Sequence, residues 1–441
     1  MSTEQSQQLY RRAKQLIPGG TQLLSKRPEM FAPDQWPAYY RSAKGCETVD
    51  LDGNLYLDMS GMGIGACLLG FADPDVTAAV VRRVQDGVAS TLNSPDEVAL
   101  AELLIELHPW ADKVRYARTG GEAMAVAVRI ARAATGRNLL AVCGYHGWHD
   151  WYLAANRSAD GASDSLHGHL LPGLSPAGVP AQLAGTTFTF TYNKIDKLAD
   201  IVRRHSSDLA AVVMEPTRSE EPQPGFLEAV RTLCDRSGAV LVVDEITAGW
   251  RFALGGAHLR YGLEPDIAVF AKALGNGHPM AAIIGRSSVM QAAQETFISS
   301  SNWTEAAGPA AALATVQKMR RLDVPAHIHS QGMRLHEGLR KIADSRRVPI
   351  KIVGQPALTF VSIDHPAGAA LQTLFTVRML NHGILAGTIF YPSLAHEPRH
   401  IDTYLAAAEV VFAELADAIE HDDAVKRIGG PVKHVGFSRL A

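Results

Sequence analysis

The chain has 441 residues, too many for a single core, with 47% apolar and 20% charged residues, an ordinary globular make-up. Its 42 basic and 45 acidic residues are mixed along the chain and leave a net charge of −3, so it carries no electrostatic footprint for nucleic acid or anionic membrane. Cys46, Cys67, Cys143 and Cys234 are scattered and form no CxxC, which argues against a disulfide framework or a zinc site.

The polar start of the chain lacks the apolar core of a signal peptide, and no apolar run reaches membrane-span length, so the expectation is a cytoplasmic protein. Residues 4–17 read as a short amphipathic helix, with Leu9, Ala13, Leu16 and Ile17 at helical spacing and Pro18-Gly19-Gly20 as the stop. An irregular Pro-containing stretch follows, then a hairpin turning at Asp52-Gly53-Asn54. Lys113–Ala117 reads as a strand leading into Arg118-Thr119-Gly120-Gly121-Glu122-Ala123, which opens an Ala-rich helix. Glycines there let backbone approach a ligand closely, and free amides at a helix start favour an anion such as phosphate. Ala154–Pro180 is long for a plain connection and reads as a loop over a site.

Leu209–Met214, Ala239–Val243 and Ile267–Phe270 have the length and branched-aliphatic content of buried parallel strands, with helical patterns between them. From about residue 315 long amphipathic helices take over, followed by strand-like Ile350–Val353 and Leu358–Ile363. The expected architecture is α/β: an N-terminal segment 1–70 packing with a small domain, a large domain 71–315 with a mostly parallel sheet, and a small α+β domain 316–441.

Each central apolar run stops at an ionisable residue: Glu215, Asp244 or Lys272. Open parallel sheets bind ligands beyond the carboxyl ends of their strands, so the three groups are expected to converge there. A strand-end charge alone often just reaches solvent; three in succession point to a pocket. A lysine facing a carboxylate suits pyridoxal 5′-phosphate (PLP): the amine forms a Schiff base with the aldehyde, and the carboxylate pairs with the ring nitrogen.

The chain resembles class III, fold type I, PLP-dependent aminotransferases, and within them the glutamate-1-semialdehyde 2,1-aminomutase group. The resemblance runs from Tyr10-Arg11-Arg12-Ala13-Lys14 to Ser393-Leu394-Ala395-His396. It is most specific at Tyr145-His146-Gly147, Pro224-Gly225-Phe226-Leu227, Asp244-Glu245-Ile246-Thr247-Ala248-Gly249-Trp250-Arg251 and Phe270-Ala271-Lys272. It implies Lys272 as Schiff-base lysine and proton shuttle, Asp244 on the pyridine nitrogen, and Ile246 and Tyr145 on opposite ring faces. It also implies His146 and Glu215 flanking the cofactor and Gly120 and Gly121 giving phosphate amides. Thr304 is implied to reach the phosphate of a neighbouring subunit, hence a homodimer with shared sites. The family usually has Thr or Ser at position 121, so Gly121 removes a hydroxyl from the phosphate.

Two departures bear on substrate. Leu23 and Lys26, with Arg27 adjacent, stand where the aminomutase holds its substrate carboxylate, and Glu220 stands where it has asparagine. No arginine in residues 386–392 matches the one that other family members use for an α-carboxylate. The implied activity is amino transfer between a small-molecule donor and a carbonyl acceptor, with intramolecular aminomutase chemistry as the alternative. A PLP-binding protein without turnover is the remote alternative. A nicotinamide enzyme is disfavoured, because Gly61, Gly63 and Gly65 are not followed by a helix-opening glycine and a downstream acid in a βαβ frame. His146, His149 and Asp150 have no third histidine near them and are not read as a metal site.

Overall fold

The computed structural model describes residues 3–157, 175–217 and 219–436. The chain divides into two compact units, one made of Met1–Asp73 with Asp323–Ala441, the other of Pro74–Leu322.

The contiguous unit is built on a seven-stranded sheet. Across it the order is Lys113–Ala117, Ala281–Gly285, Ile267–Phe270, Val240–Asp244, Leu209–Met214, Leu139–Cys143 and Thr187–Thr189. The last five are mutually parallel, while Ala281–Gly285 runs antiparallel to both its neighbours. Leu209–Met214, Val240–Asp244 and Ile267–Phe270 are buried along their whole length. Such strands show no alternation because helices cover both faces of the sheet. The helix Gly120–Thr135 covers one face through Ala123, Met124, Ala127, Ile130 and Ala131, and Phe226–Ser237 joins the core on Leu198, Ile201 and Val243. Because Lys113–Ala117 is antiparallel to an antiparallel strand, it points the same way as the five. Arg118-Thr119-Gly120 therefore emerges at the edge where Gly144, Glu215, Glu245 and Ala271 leave the sheet.

The composite unit takes strands from both ends of the sequence. Tyr40–Lys44, Glu47–Asp50 and Leu55–Asp58 form an antiparallel meander, and Ile384–Leu385 adds to it in parallel beside Leu55–Asp58. The strand Tyr40–Lys44 lies in a stretch that reads as irregular; it is mostly exposed and so carries no apolar pattern. Ile350–Val353, Thr359–Ile363 and Ile389–Phe390 make a second small sheet. Val324–Arg346, Gly368–Asn381 and Pro398–Glu420 bury Leu335, Leu339, Leu374, Phe375, Val411 and Phe412 in one core.

Candidate active site

The edge described above gathers four elements of the contiguous unit. Asp244 ends its strand and is 2% exposed. Its Oδ1 accepts from the Ile246 amide at 2.9 Å, and its Oδ2 accepts from His146 Nδ1 at 2.8 Å. The other nitrogen of His146 faces the Cys143 carbonyl at 3.1 Å. The carboxylate is thereby fixed from two sides with lone pairs to spare for a further donor. Burial pushes the Cys143 thiol up, with the carboxylates of Glu215 and Glu220 adding to it, so this cysteine is a packing residue.

Lys272 follows the Ile267–Phe270 strand and opens a 3-10 turn, Lys272–Gly275, in the left-handed region at φ +44°. A non-glycine residue held there costs about 1–3 kcal/mol and is characteristic of sites where a side chain must be aimed. Its Nζ donates to Thr247 Oγ1 at 2.9 Å. Thr247 is buried and sits two residues beyond the Glu245 that anchors the turn. Glu245 Oε1 accepts from the His258 amide and from His258 Nδ1, both at 2.7 Å, and His258 Nε2 accepts from Trp110 Nε1 at 3.2 Å. This fully buried pair locks the turn that presents Asp244, Ile246 and Thr247.

Glu215 acts through the neighbouring loop: its Oε2 accepts from the Tyr145 amide at 3.2 Å. Gly144 makes the contact possible, because its φ is +115° and a Cβ there would lie 2.6 Å from the same carboxylate oxygen. The loop is tied again where Tyr152 donates to the Gly144 carbonyl at 2.8 Å, with the Tyr145 and Tyr152 rings edge to face.

The Gly120–Thr135 helix starts with a capping box. Thr119 Oγ1 accepts from the Glu122 amide, and Glu122 Oε2 accepts from the amides of Arg118 and Thr119. The amides of Gly120 and Gly121 then have no partner among the described residues. Two adjacent orphan amides at a helix start fit a phosphate, and a Cβ at Gly120 would meet Ile246 Cδ1 at 2.9 Å, so glycine also admits Ile246. A buried carboxylate, a strained lysine and an anion cradle on one sheet edge match what PLP needs.

Thr304 is exposed in the turn Ser301–Thr304, its hydroxyl donating to the Ser301 carbonyl at 3.0 Å, and Arg118 holds the turn through the Trp303 and Glu305 carbonyls. Glu220 is exposed, its carbonyl accepting from Thr217 Oγ1 at 2.8 Å. Lys26 and Arg27 belong to the composite unit. Lys26 lies near enough to Asp58 to oppose the rise that burial imposes on that carboxyl, and Arg27 folds over Gly19. Of the Ala154–Pro180 loop, residues 158–174 lie outside the described residues, as does Arg218 of the Glu215–Glu220 motif. Thr247, His258 and the clamping role of His146 were not foreseen. Only the adjacency of Thr247 to the Asp244 motif signalled any of them.

These features define a PLP-dependent transferase of the aminotransferase type, and the known proteins agree. Residues 31–409 match the family model "Aminotransferase class-III". The glutamate-1-semialdehyde 2,1-aminomutase of Anaeromyxobacter dehalogenans (strain 2CP-C) is 35% identical over 94% of this chain and 99% of its own length. The 3-aminobutyryl-CoA aminotransferase of Cloacimonas acidaminovorans (strain Evry) is 29% identical over 93% of this chain and 97% of its own. Among solved structures, the PLP internal aldimine form of the FumI protein of Sphingopyxis sp. MTA144 is 26% identical with a TM-score of 0.85, covering 95% of this chain and 98% of that one. The chain belongs to the class III aminotransferase family, is a PLP-dependent enzyme of amino transfer, and uses pyridoxal 5′-phosphate as its cofactor.

Proposed function

We propose that the chain moves an amino group between two separate molecules, with Lys272 as the cofactor's attachment point and proton carrier. Bound PLP supplies an aldehyde for amine capture and an electron-withdrawing ring. Asp244, steadied by His146 and the Ile246 amide, keeps the ring nitrogen protonated. Thr247 holds the Lys272 amine, whose Nζ would take a proton from the substrate and return it. Ile246 and Tyr145 would flank the ring, and the amides of Gly120 and Gly121 would hold the phosphate. The observation that carries this reading is Lys272 itself, in the left-handed conformation at the end of a buried parallel strand, with its amine on Thr247.

Intermolecular transfer is favoured by Leu23 and Lys26, which replace the pair with which the aminomutase holds its substrate carboxylate, and by Glu220, which replaces its asparagine. A site built for one pattern of charges rejects another. The amine named in the 3-aminobutyryl-CoA relative is not α to a carboxylate, in keeping with the absence of an α-carboxylate arginine in residues 386–392. Aminomutase chemistry is the second reading, favoured by the 35% identity to an enzyme of that name. Purified protein incubated with glutamate-1-semialdehyde alone is expected to yield little 5-aminolevulinate, while an added amino donor bleaches the cofactor colour and a carbonyl acceptor restores it. Efficient 5-aminolevulinate formation without donor or acceptor would establish the aminomutase instead.

The same proposal includes a homodimer in which the exposed Thr304 turn serves the partner's site, to be checked by light scattering and by mixing Lys272→Ala with Thr304→Ala chains. It also includes a cytoplasmic setting, supported by four free cysteines. No helix among the described residues is long and apolar enough to cross a membrane.

A further inference from the structure

Position 121 lacks the hydroxyl that a serine or threonine would offer a phosphate, and the space for it is filled from another element. A Cβ added to Gly121 would lie 3.1 Å from His149 Cε1, 3.2 Å from His149 Nδ1 and 3.7 Å from Trp148 Nε1. The imidazole of His149 thus stands where such a side chain would project. Its Nδ1 is closed off from solvent and has no hydrogen-bond partner among the described residues. A buried polar atom left in that state is costly, and a bound group that supplies the partner accounts for it. The ring is not loose: it stacks on Trp148 at 4.4 Å and 23°, and the His149 carbonyl accepts from the amides of Tyr152 and Leu153. Burial lowers its pKa while the carboxylates of Glu122 and Asp150 oppose that shift. The Glu122 carboxylate does not compete for the amides of the cradle, since it is turned back onto Arg118 and Thr119.

We propose that His149 Nδ1–H donates to the phosphate of bound PLP, beside the amides of Gly120 and Gly121, and replaces the hydroxyl that position 121 lacks. This rests on the reading of Gly120–Gly121 as the phosphate cradle.

The test is binding by the full-length protein stripped of cofactor, titrated with PLP and separately with pyridoxal, which has no phosphate. His149→Ala, and His149→Phe, which keeps the ring and its stacking, are both expected to weaken PLP about tenfold to a hundredfold. Both are expected to leave pyridoxal within about twofold of wild type, the change being confined to a contact pyridoxal does not make. Gly121→Ser placed in the His149→Ala chain, where the ring no longer blocks a side chain, is expected to regain most of the PLP affinity. The phosphorus resonance of bound PLP should shift in both single variants. Equal weakening of PLP and pyridoxal, or unchanged PLP affinity in His149→Phe, would overturn the assignment. Lys272→Ala is run alongside. If it keeps the lysine-linked cofactor absorbance, the site itself is misread. If it loses that band while the His149 variants keep the preference for PLP over pyridoxal, only the His149 assignment fails.

Discussion

In the contiguous unit His146 lies 2.8 Å from the Asp244 carboxylate. In the composite unit His396 has Ser393 Oγ at 3.0 Å on one nitrogen and the Asp58 carbonyl at 2.9 Å on the other, while Asp58 itself accepts from the Ser60 amide and hydroxyl. By residue type the second group has more the look of a catalytic set: a serine, a histidine and an aspartate, all buried. Its bonds close on one another, however, and burial holds His396 neutral, with its pKa lowered to about 4. It pins the chain near residue 393 to the strand Leu55–Asp58. The edge of the contiguous sheet differs: two helix-start amides and the Nδ1 of His149 have no partner among the described residues, and Lys272, bonded to Thr247, is held in a strained backbone conformation. Unused bonding capacity and stored strain, more than the residue inventory, separate a site from a pin.

That contrast can be broken most sharply at Lys272. Lys272→Ala should reduce turnover by at least about three orders of magnitude, since attachment and proton movement both lose their amine. Single-turnover assays with an amino donor would show it, and near-normal rates would remove Lys272 from the chemistry. Asp244→Asn should retain PLP yet slow the proton-transfer step by about a hundredfold or more, because a neutral partner no longer favours the protonated ring. An unchanged rate with bound cofactor would make Asp244 a structural strand end.

His396 offers the opposite test, on stability. Its folded pKa is depressed from 6.5 to about 4, so the unfolded chain takes up the proton first as the pH falls. The contribution is fully present above about pH 6.5 and is lost as the pH drops towards 4, roughly 3 kcal/mol across that window. Hydrogen exchange of peptides spanning residues 393–401 should show the loss in wild type and a flatter profile in His396→Gln, with turnover at pH 8 little affected. A pH-independent exchange profile in wild type would contradict the buried, neutral ring. The smallest effect is expected at Thr247→Ala, about a tenfold fall in the rate constant for amino transfer with cofactor affinity nearly unchanged. A change in affinity without a change in rate would place Thr247 on the cofactor instead of the lysine.

The central strands were legible because strands buried on both faces read as uninterrupted apolar runs, and the ionisable residue ending each run marks the ligand-binding edge. The start of the Gly120–Thr135 helix was legible from its cap and glycines. What could not be read were pairings across long separations. His146 and Asp244 stand 98 positions apart, and His258 and Trp110 stand 148 apart. The exposed strand Tyr40–Lys44 was missed because solvent on its faces leaves no apolar signature. Lys26 and the adjacent Arg27 are indistinguishable in sequence as candidate carboxylate grips, yet the chain gives them different surroundings, a carboxylate for one and a glycine turn for the other.

The composite unit has a consequence for synthesis. The strand Leu55–Asp58 leaves the ribosome well before its parallel neighbour Ile384–Leu385, which is made more than three hundred residues later. At about 5–20 residues per second, that open strand edge waits tens of seconds for its partner while the whole contiguous unit is translated and free to fold. Chains halted anywhere before residue 384 therefore carry an edge of Leu55–Asp58 that lacks its native partner and is open to pairing with another chain.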